Sequence, residues 1–303
     1  MSDNFKGILA MLASATGFIL NDALIKLMTS ELPNGQIIFL RGLVAASIMG
    51  LITSITGGWR PPRVLFRPAM VVRMIAAAAA TLLIVASLRH LPIATTNAIL
   101  QVSPLIVTAG AALFLGAHVG WRRWTLSLLG FLGVMLIVKP GTASFVPASA
   151  LALICLAATS TRDLLTRFID RAVPSILVTF ATAVAVAMSG LALMPLEVWI
   201  VPSAHALTLL MFTAVCHVVA YHFGVVAMRM GEIPVVSPFR YTAILMALIL
   251  GYLVWGDVPD PLSVIGIAVI VAAGLGMLYL ERVRARARLR LKPAALANVK
   301  VAA

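Results

Sequence analysis

An all-α integral membrane protein, ten transmembrane helices arranged as two inverted five-helix repeats, is the fold class that this sequence predicts. Three observations carry it. Hydrophobic residues make up 62% and charged residues 11% of the 303, whereas a soluble domain carries about 25% charged residues. Apolar runs of about 20 residues recur along the chain, long enough to cross a hydrocarbon core of about 30 Å. The two halves also resemble each other at a shift of 140 or 141 residues. With a mean hydropathy of +1.07, there are too few charges to build a water-facing surface. Helices satisfy their own backbone hydrogen bonds in lipid, and solidly apolar runs such as 75–88 lack the alternation of a barrel strand.

The segments run in order at 6–28, 35–56, 69–88, 92–115, 124–139, 148–169, 175–195, 205–228, 233–255 and 261–281. The first contains Asn21, Asp22 and Lys26 and lacks a small-residue cleavage site, so it is expected to stay as a mature helix. The second and third are separated by Gly57-Gly58-Trp59-Arg60-Pro61-Pro62, the fifth and sixth by a turn that starts Lys139-Pro140-Gly141. The ninth and tenth are joined by Asp257-Val258-Pro259-Asp260-Pro261. Trp59, Trp121, Trp124, Trp199 and Trp255 fall at or near segment ends, as in the aromatic belt at a lipid–water boundary. Cys155 and Cys216 lie inside apolar runs and read as buried small residues with no disulfide.

Orientation follows from Lys and Arg in the connections. With the N-terminus inside, the inner connections hold Arg60, Arg63, Arg67, Arg73, Arg122, Arg123, Arg167, Arg171 and Arg229, and the tail adds Arg282, Arg284, Arg286, Arg288 and Arg290. The outer side holds Lys26, Arg89 and Lys139, with Glu31, Glu197, Asp257 and Asp260. Both termini are therefore expected in the cytoplasm, in a bacterial inner membrane. The net charge of +13 needs no nucleic-acid partner; it is mostly this bias, plus a tail suited to anionic lipid headgroups.

The repeat rests on three matches in one frame. Asn21-Asp22-Ala-Leu-Ile-Lys26 with Pro33 aligns with Arg162-Asp163-Leu-Leu-Thr-Arg167 with Pro174; Arg89 aligns with Arg229; Leu113-Phe-Leu-Gly116 aligns with Leu253-Val-Trp-Gly256. Five crossings per copy is an odd number, so the second copy enters from the opposite side. Inverted repeats of this kind characterise transporters with a site near the midplane.

The chain resembles the drug/metabolite transporter superfamily, in particular its EamA-type ten-helix members. The carrying segments are Phe18 to Lys26, Leu91 to Pro104, Leu113 to Gly116 with Gly130 to Gly141, and Gly251 to Asp260. The resemblance implies a first EamA repeat at 6–139, a second at 148–281, and a basic cytoplasmic tail at 282–303. It implies a carrier of small organic metabolites that uses no ATP and no cofactor, and it leaves the solute open. One departure stands out: the family's Gly-Glu after the fourth helix is Gly116-Ala117 here, while the second copy has Gly256-Asp257.

Ionisable groups in membrane helices face a cavity or a partner. Asp22 and Lys26, four apart, share a face and could pair, as could Asp163 and Arg167, with Arg41 or Arg240 as alternative partners in outer and inner gates; the other reading is snorkelling and intrahelical stabilisation near the helix ends. His217 and Tyr221 share a face near the midplane and suit solute binding or proton uptake; His222 lies on another face. Asn97 and Gln101 precede Pro104, and Arg240 and Tyr241 follow Pro238, so all four are candidates for a polar lining beside proline-bent helices. Asn21, Asp22, Arg41, Asn97, Gln101, Asp163, His217, Tyr221, Arg240 and Tyr241 are thus the substrate-binding or gating candidates. No catalytic residue and no metal site is expected: the sequence holds no His-Glu-x-x-His, serine-nucleophile or phosphate-loop motif. The expected function is secondary transport of an amino acid, vitamin or other zwitterionic or amphiphilic solute by alternating access, with proton coupling and exchange both open. A passive facilitator and a non-transporting scaffold are the alternatives. The expected partners are the solute, the lipid bilayer and, as the one protein partnership left open, a second copy in a homodimer.

Overall fold

A computed structural model describes residues 3–103, 105–107, 120–139, 146–166, 169–170, 172–229, 236–277, 279–280 and 283. Pro104, Gly116, Ala117, Pro140, Gly141, Arg167, Arg171 and the tail arginines lie outside them, as do the ends of the expected repeats at 281 and of the tail at 303. All regular secondary structure among the described residues is helical.

The helices are α1 (Asp3–Met28), α2 (Asn34–Ile55), α3 (Pro68–His90), α4 (Ile93–Leu100) and α5 (Trp121–Val138). They continue as α6 (Ser149–Thr166), α7 (Ser175–Ala192), α8 (Ala204–Arg229), α9 (Thr242–Trp255) and α10 (Pro261–Met277). Among the described residues, five spans, in α1, α2, α3, α7 and α8, are long and apolar enough to cross a membrane by length and composition. Pro33 and Pro174, equivalent in the repeat frame, are the extended N-cap residues of α2 and α7. Their fixed φ and missing N–H suit a helix start.

Two predicted segments are shorter as regular helix. α4 stops at Leu100, with a turn at Gln101 and Val102 before helix resumes at Ser103. Likewise α9 begins at Thr242, after a 3-10 turn at Ser237–Tyr241 that contains Pro238.

Packing pairs helices across the two halves. α1 lies along α8, α6 along α3, and α2 along α7. α1 also meets α9, and α6 meets α4. A side chain on Gly17 would place its Cβ 2.9 Å from the Cβ of Ala220, so only glycine allows α1 so close to α8. Gly133 of α5 and Gly266 of α10 meet similarly: a Cβ on either would fall 2.8 or 2.6 Å from the other's carbonyl. One buried cluster gathers Ile19, Ile25, Met28, Ile37, Leu88 and Leu210; a second gathers Leu105, Val134, Leu156 and Ile270. The outside is also apolar: Ile75 is 63%, Phe212 60% and Leu253 71% exposed, as a lipid-facing surface requires.

The loops assigned to the outer side meet at one end of the bundle. Lys26 pairs with Asp257 at 3.3 Å, Lys139 with Asp260 at 2.7 Å, and His205 with Glu31 at 3.2 Å. The backbone N–H of Gly35 donates to Glu197. At the opposite end Arg67 lies 3.7 Å from Asp170. Arg73 departs from its sequence assignment to an inner connection: it sits one turn inside α3 and is 4% exposed.

Candidate functional site

Four polar side chains from three helices meet in the half of the bundle nearer the Lys26 end. Asp22 of α1 is 7%, Asn21 3% and Arg41 of α2 7% exposed. Asn21 spans the two charges: its Nδ2 donates to Asp22 Oδ1 at 3.0 Å and its Oδ1 accepts from Arg41 Nη1 at 3.1 Å. An amide suits this place because it carries a donor and an acceptor on one planar group. Asn97 of α4 donates to the other carboxylate oxygen of Asp22 at 3.2 Å, so both oxygens are held. Arg41 also acts on Asp22 through its charge.

Asp22 and Lys26 do not pair. Asp22 is short and turns to the two amides, whereas the long Lys26 stem carries its ammonium toward the helix end. There Lys26 donates to the carbonyl of Leu91 at 3.1 Å, just past α3, and to Asp257 at 3.3 Å, over the ring of Trp255. Gly256 makes this contact available. It ends α9 in the left-handed region at φ 68°, where its N–H bonds to the carbonyl of Tyr252 at 3.0 Å as in an αL cap, and the N–H of Asp257 returns to the carbonyl of Gly251 at 3.1 Å.

A second charged group lies toward the opposite end. Asp163 of α6 is paired by its neighbour Arg162, whose Nε and Nη2 lie 2.9 and 2.8 Å from Oδ1; the expected partner Arg167 lies outside the described residues. The buried Arg73 donates to Thr166 of α6 at 2.8 Å and to Thr182 of α7 at 2.6 Å. The Tyr221 hydroxyl of α8 is within its reach. Charge counting missed Arg73; its one signal in the sequence is a position five residues past Pro68, inside the apolar run.

The two interrupted helices face each other. Gln101, at the break after α4, donates from Nε2 to the carbonyl of Arg240 at 2.9 Å, within the 3-10 turn before α9. A helix that changes to 3-10 leaves carbonyls without their usual partners, and the Gln101 amide satisfies one. The Arg240 side chain is exposed, so what Arg240 brings here is its backbone. The Tyr241 hydroxyl lies over Gly274, where a side chain would otherwise stand, and so is directed to α10 rather than to the Asp22 cluster. His217 of α8 turns its ring edge to Phe18 of α1, with centroids 5.9 Å apart. Its Nδ1 is buried without a hydrogen-bond partner among the described residues. His222 is exposed and packs edge-on against Phe223. Cys155 and Cys216 are both free thiols.

The structure thus brings Asn21, Asp22, Arg41 and Asn97 into one network, joins Gln101 to the Arg240 backbone, and places Asp163 and Tyr221 in a separate group around Arg73. The comparisons with known proteins agree with a transporter. Residues 5–139 match the EamA-like transporter family. The S-adenosylmethionine uptake transporter of Rickettsia prowazekii (strain Madrid E) is 24% identical over 190 residues, covering 63% of this chain and 64% of that protein. The pseudopaline exporter of Pseudomonas aeruginosa is 27% identical over 279 residues, 89% of this chain and 94% of the exporter. The riboflavin transporter of Rhizobium johnstonii is 28% identical over 200 residues, 65% of each chain. The chain spans 64% of the length of the Rickettsia S-adenosylmethionine transporter it matches. A crystal structure with a TM-score of 0.63 shares the fold at 18% identity, covering 92% of this chain and 98% of its own. Family and relatives alike are transporters rather than enzymes.

Proposed function

We propose, from the premise that this chain belongs with the EamA-type members of the drug/metabolite transporter superfamily, that it is a secondary transporter of a small organic metabolite working by alternating access. Ten crossings, both termini in the cytoplasm and two inverted units at 6–139 and 148–281 complete the reading, with the bacterial inner membrane as its location. The observation that carries it is the meeting of the two interrupted helices, with Gln101 of one bonded to the Arg240 carbonyl of the other at 2.9 Å. Broken helices that face each other beside buried charge are the usual construction of a carrier's midplane site.

The helix pairing supports the inverted units, since α1 on α8 and α6 on α3 exchange under the 140-residue shift while α2 on α7 maps onto itself. Polar ties at both ends support a carrier over an open pore: Lys26 to Asp257 at one, Arg73 to Thr166 and Thr182 at the other. The relatives' cargoes frame the solute as an amino-acid-like or vitamin-like amphiphile, and the mixed charge of Asp22 and Arg41 suits a zwitterion.

The test is counterflow in proteoliposomes holding the full chain, with labelled S-adenosylmethionine, riboflavin and a panel of amino acids. A carrier takes up its labelled solute faster when the same solute is preloaded inside. Flux indifferent to preloading indicates a passive facilitator, and flux equal to protein-free liposomes across the panel contradicts transport of this class.

A further inference from the structure

The connection between α7 and α8 carries the three most exposed large hydrophobic side chains among the described residues. Val201 is 93%, Val198 85% and Leu196 81% exposed. The segment makes a short 3-10 turn at Met194–Leu196 and then runs without regular structure to α8, with Glu197 in extended backbone. In extended chain, successive side chains point to opposite sides. Glu197 and Trp199 accordingly face the protein. The Glu197 carboxylate accepts from the backbone N–H of Gly35 at 2.8 Å, and the Trp199 ring lies 5.4 Å from that of Phe39 in α2. Leu196 and Val198, at the alternate positions, face away.

An outward face this apolar suits a medium poor in water. Residues 193–203 hold one ionisable side chain, Glu197, and it is turned inward. Backbone groups are provided for as well, as a segment outside a helix needs near lipid. Gln36, 4% exposed, donates from Nε2 to the carbonyl of Ile200 and accepts from the Ile200 N–H at 3.2 Å. Pro195 and Pro202 have no N–H to satisfy. The apolar surface continues beyond both ends of the segment, through Met188 of α7, 55% exposed, and Leu207 and Met211 of α8, 46% and 52% exposed.

The repeat supplies an internal comparison. Trp59, 140 positions before Trp199, packs edge-on against Phe180 of α7 at 5.2 Å, and Phe180 lies 141 positions after Phe39. The two equivalent connections are thus anchored alike, each by a tryptophan on a phenylalanine of the other half. What they turn outward differs: Arg60 and Arg63 in the first copy, Leu196, Val198 and Val201 in the second. The shared anchor accounts for the path of the chain, and the apolar face of the second copy calls for a different neighbour.

We propose that the α7–α8 connection is an interfacial strap whose partner is the bilayer, with Leu196, Val198 and Val201 inserted between headgroups and acyl chains of the leaflet at the Lys26 end. Because the strap is tied to Gly35 and Gln36, it would set the depth at which α2 begins.

The experiment uses the full chain carrying Cys155→Ser, Cys216→Ser and one further cysteine, labelled with bimane and reconstituted in phosphatidylcholine–phosphatidylglycerol liposomes. The cysteine is Val198→Cys or, for reference, Glu31→Cys; Glu31 is exposed at the same end of the bundle, so mixed insertion affects both alike. An interfacial segment sits about 5–10 Å into the boundary of headgroups and acyl chains, so acyl-brominated lipid should quench position 198 at least about twofold more than position 31. Iodide in the water should quench position 198 at most about half as much as position 31. Should Val198→Cys fail to fold, Val201→Cys is expected to give the same pattern. Iodide quenching at 198 as strong as at 31 would mean a strap in water. Protection from both quenchers would mean a strap covered by protein, such as a second copy. Either result overturns the proposal, as does lipid quenching no stronger at 198 than at 31. The readout needs neither solute nor flux, so its failure is distinct from a failure of transport.

Discussion

Ser14 and Cys155, 141 positions apart, make the same hydrogen bond in the two halves of the molecule. The Ser14 hydroxyl of α1 donates to the carbonyl of Ala220 in α8 at 2.7 Å, and the Cys155 thiol of α6 approaches the carbonyl of Ala80 in α3 at 3.3 Å. The acceptors are themselves 140 positions apart, within the frame of the sequence repeat. Equivalent bonds at equivalent positions are what two copies of one unit produce.

This relationship predicts a paired effect on stability. Ser14→Ala should cost about 1 kcal/mol, as for a typical buried hydrogen bond, and Cys155→Ala less, since a thiol is a weak donor. Cys155→Ser should be neutral or stabilising. Denaturant titration of the three variants in detergent checks the order; a loss from Cys155→Ala larger than that from Ser14→Ala would contradict the equivalence.

The Lys26–Asp257 pair predicts a change in access. Both side chains are partly buried, at 14% and 27% exposure, so Asp257→Asn should ease opening of that end by about 1 kcal/mol, roughly fivefold in population. A cysteine placed at Thr95, beside the cleft that Asp257, Val258 and Pro259 line, should react about fivefold faster with an impermeant maleimide. The exchange Lys26→Asp with Asp257→Lys should return the rate toward that of the native pair.

Gln101 predicts a loss of a different kind. Gln101→Leu leaves the Arg240 carbonyl without its side-chain donor and should cost about 1–3 kcal/mol at the junction of the two broken helices. Counterflow should fall more than tenfold while the chain still folds and inserts, measured by size-exclusion chromatography and proteoliposome flux.

Asp260 separates a cap from an ion pair. Its Oδ1 accepts from the backbone N–H groups of Leu262 and Ser263, so it caps α10 ahead of Pro261. The Lys139 ammonium and then the Ser263 hydroxyl hold its carboxyl below the usual carboxylate range. Asp260→Asn keeps a good cap and should cost under about 1 kcal/mol, whereas Asp260→Ala should cost about 1 kcal/mol more. A carboxyl depressed in the folded state contributes stability above its unfolded pKa of about 3.9 and loses it as pH falls through the folded value. The difference between native chain and Asp260→Asn should therefore stay level from about pH 8 to 5 and narrow only in stronger acid.

Much of the fold was legible because lipid imposes one rule on every residue of a crossing, so apolar runs and loop charges marked the segments without tertiary knowledge. Asp22, Asn97 and Arg41 stood out for the same reason, as polar groups where none is tolerated unpaired. Their partners were not legible. Asn21 lies beside Asp22 in sequence, but that it bridges Asp22 to Arg41 depends on how α1 and α2 cross. Arg73 was counted as a loop charge because its acceptors, Thr166 and Thr182, lie 93 and 109 residues away. Lys26 was matched to the nearest acid along its helix, while the turn at Gly256 delivers another from 231 residues away.

The central claim, two inverted units around a solute path, is tested most directly by sidedness at equivalent positions. Glu31 and Ala172 are 141 residues apart, and both are exposed. Each is replaced by cysteine in a chain carrying Cys155→Ser and Cys216→Ser, and intact cells are treated with a membrane-impermeant maleimide. The account predicts labelling at position 31 from outside, and at 172 only after the membrane is permeabilised. Labelling of both positions from the same side would contradict it.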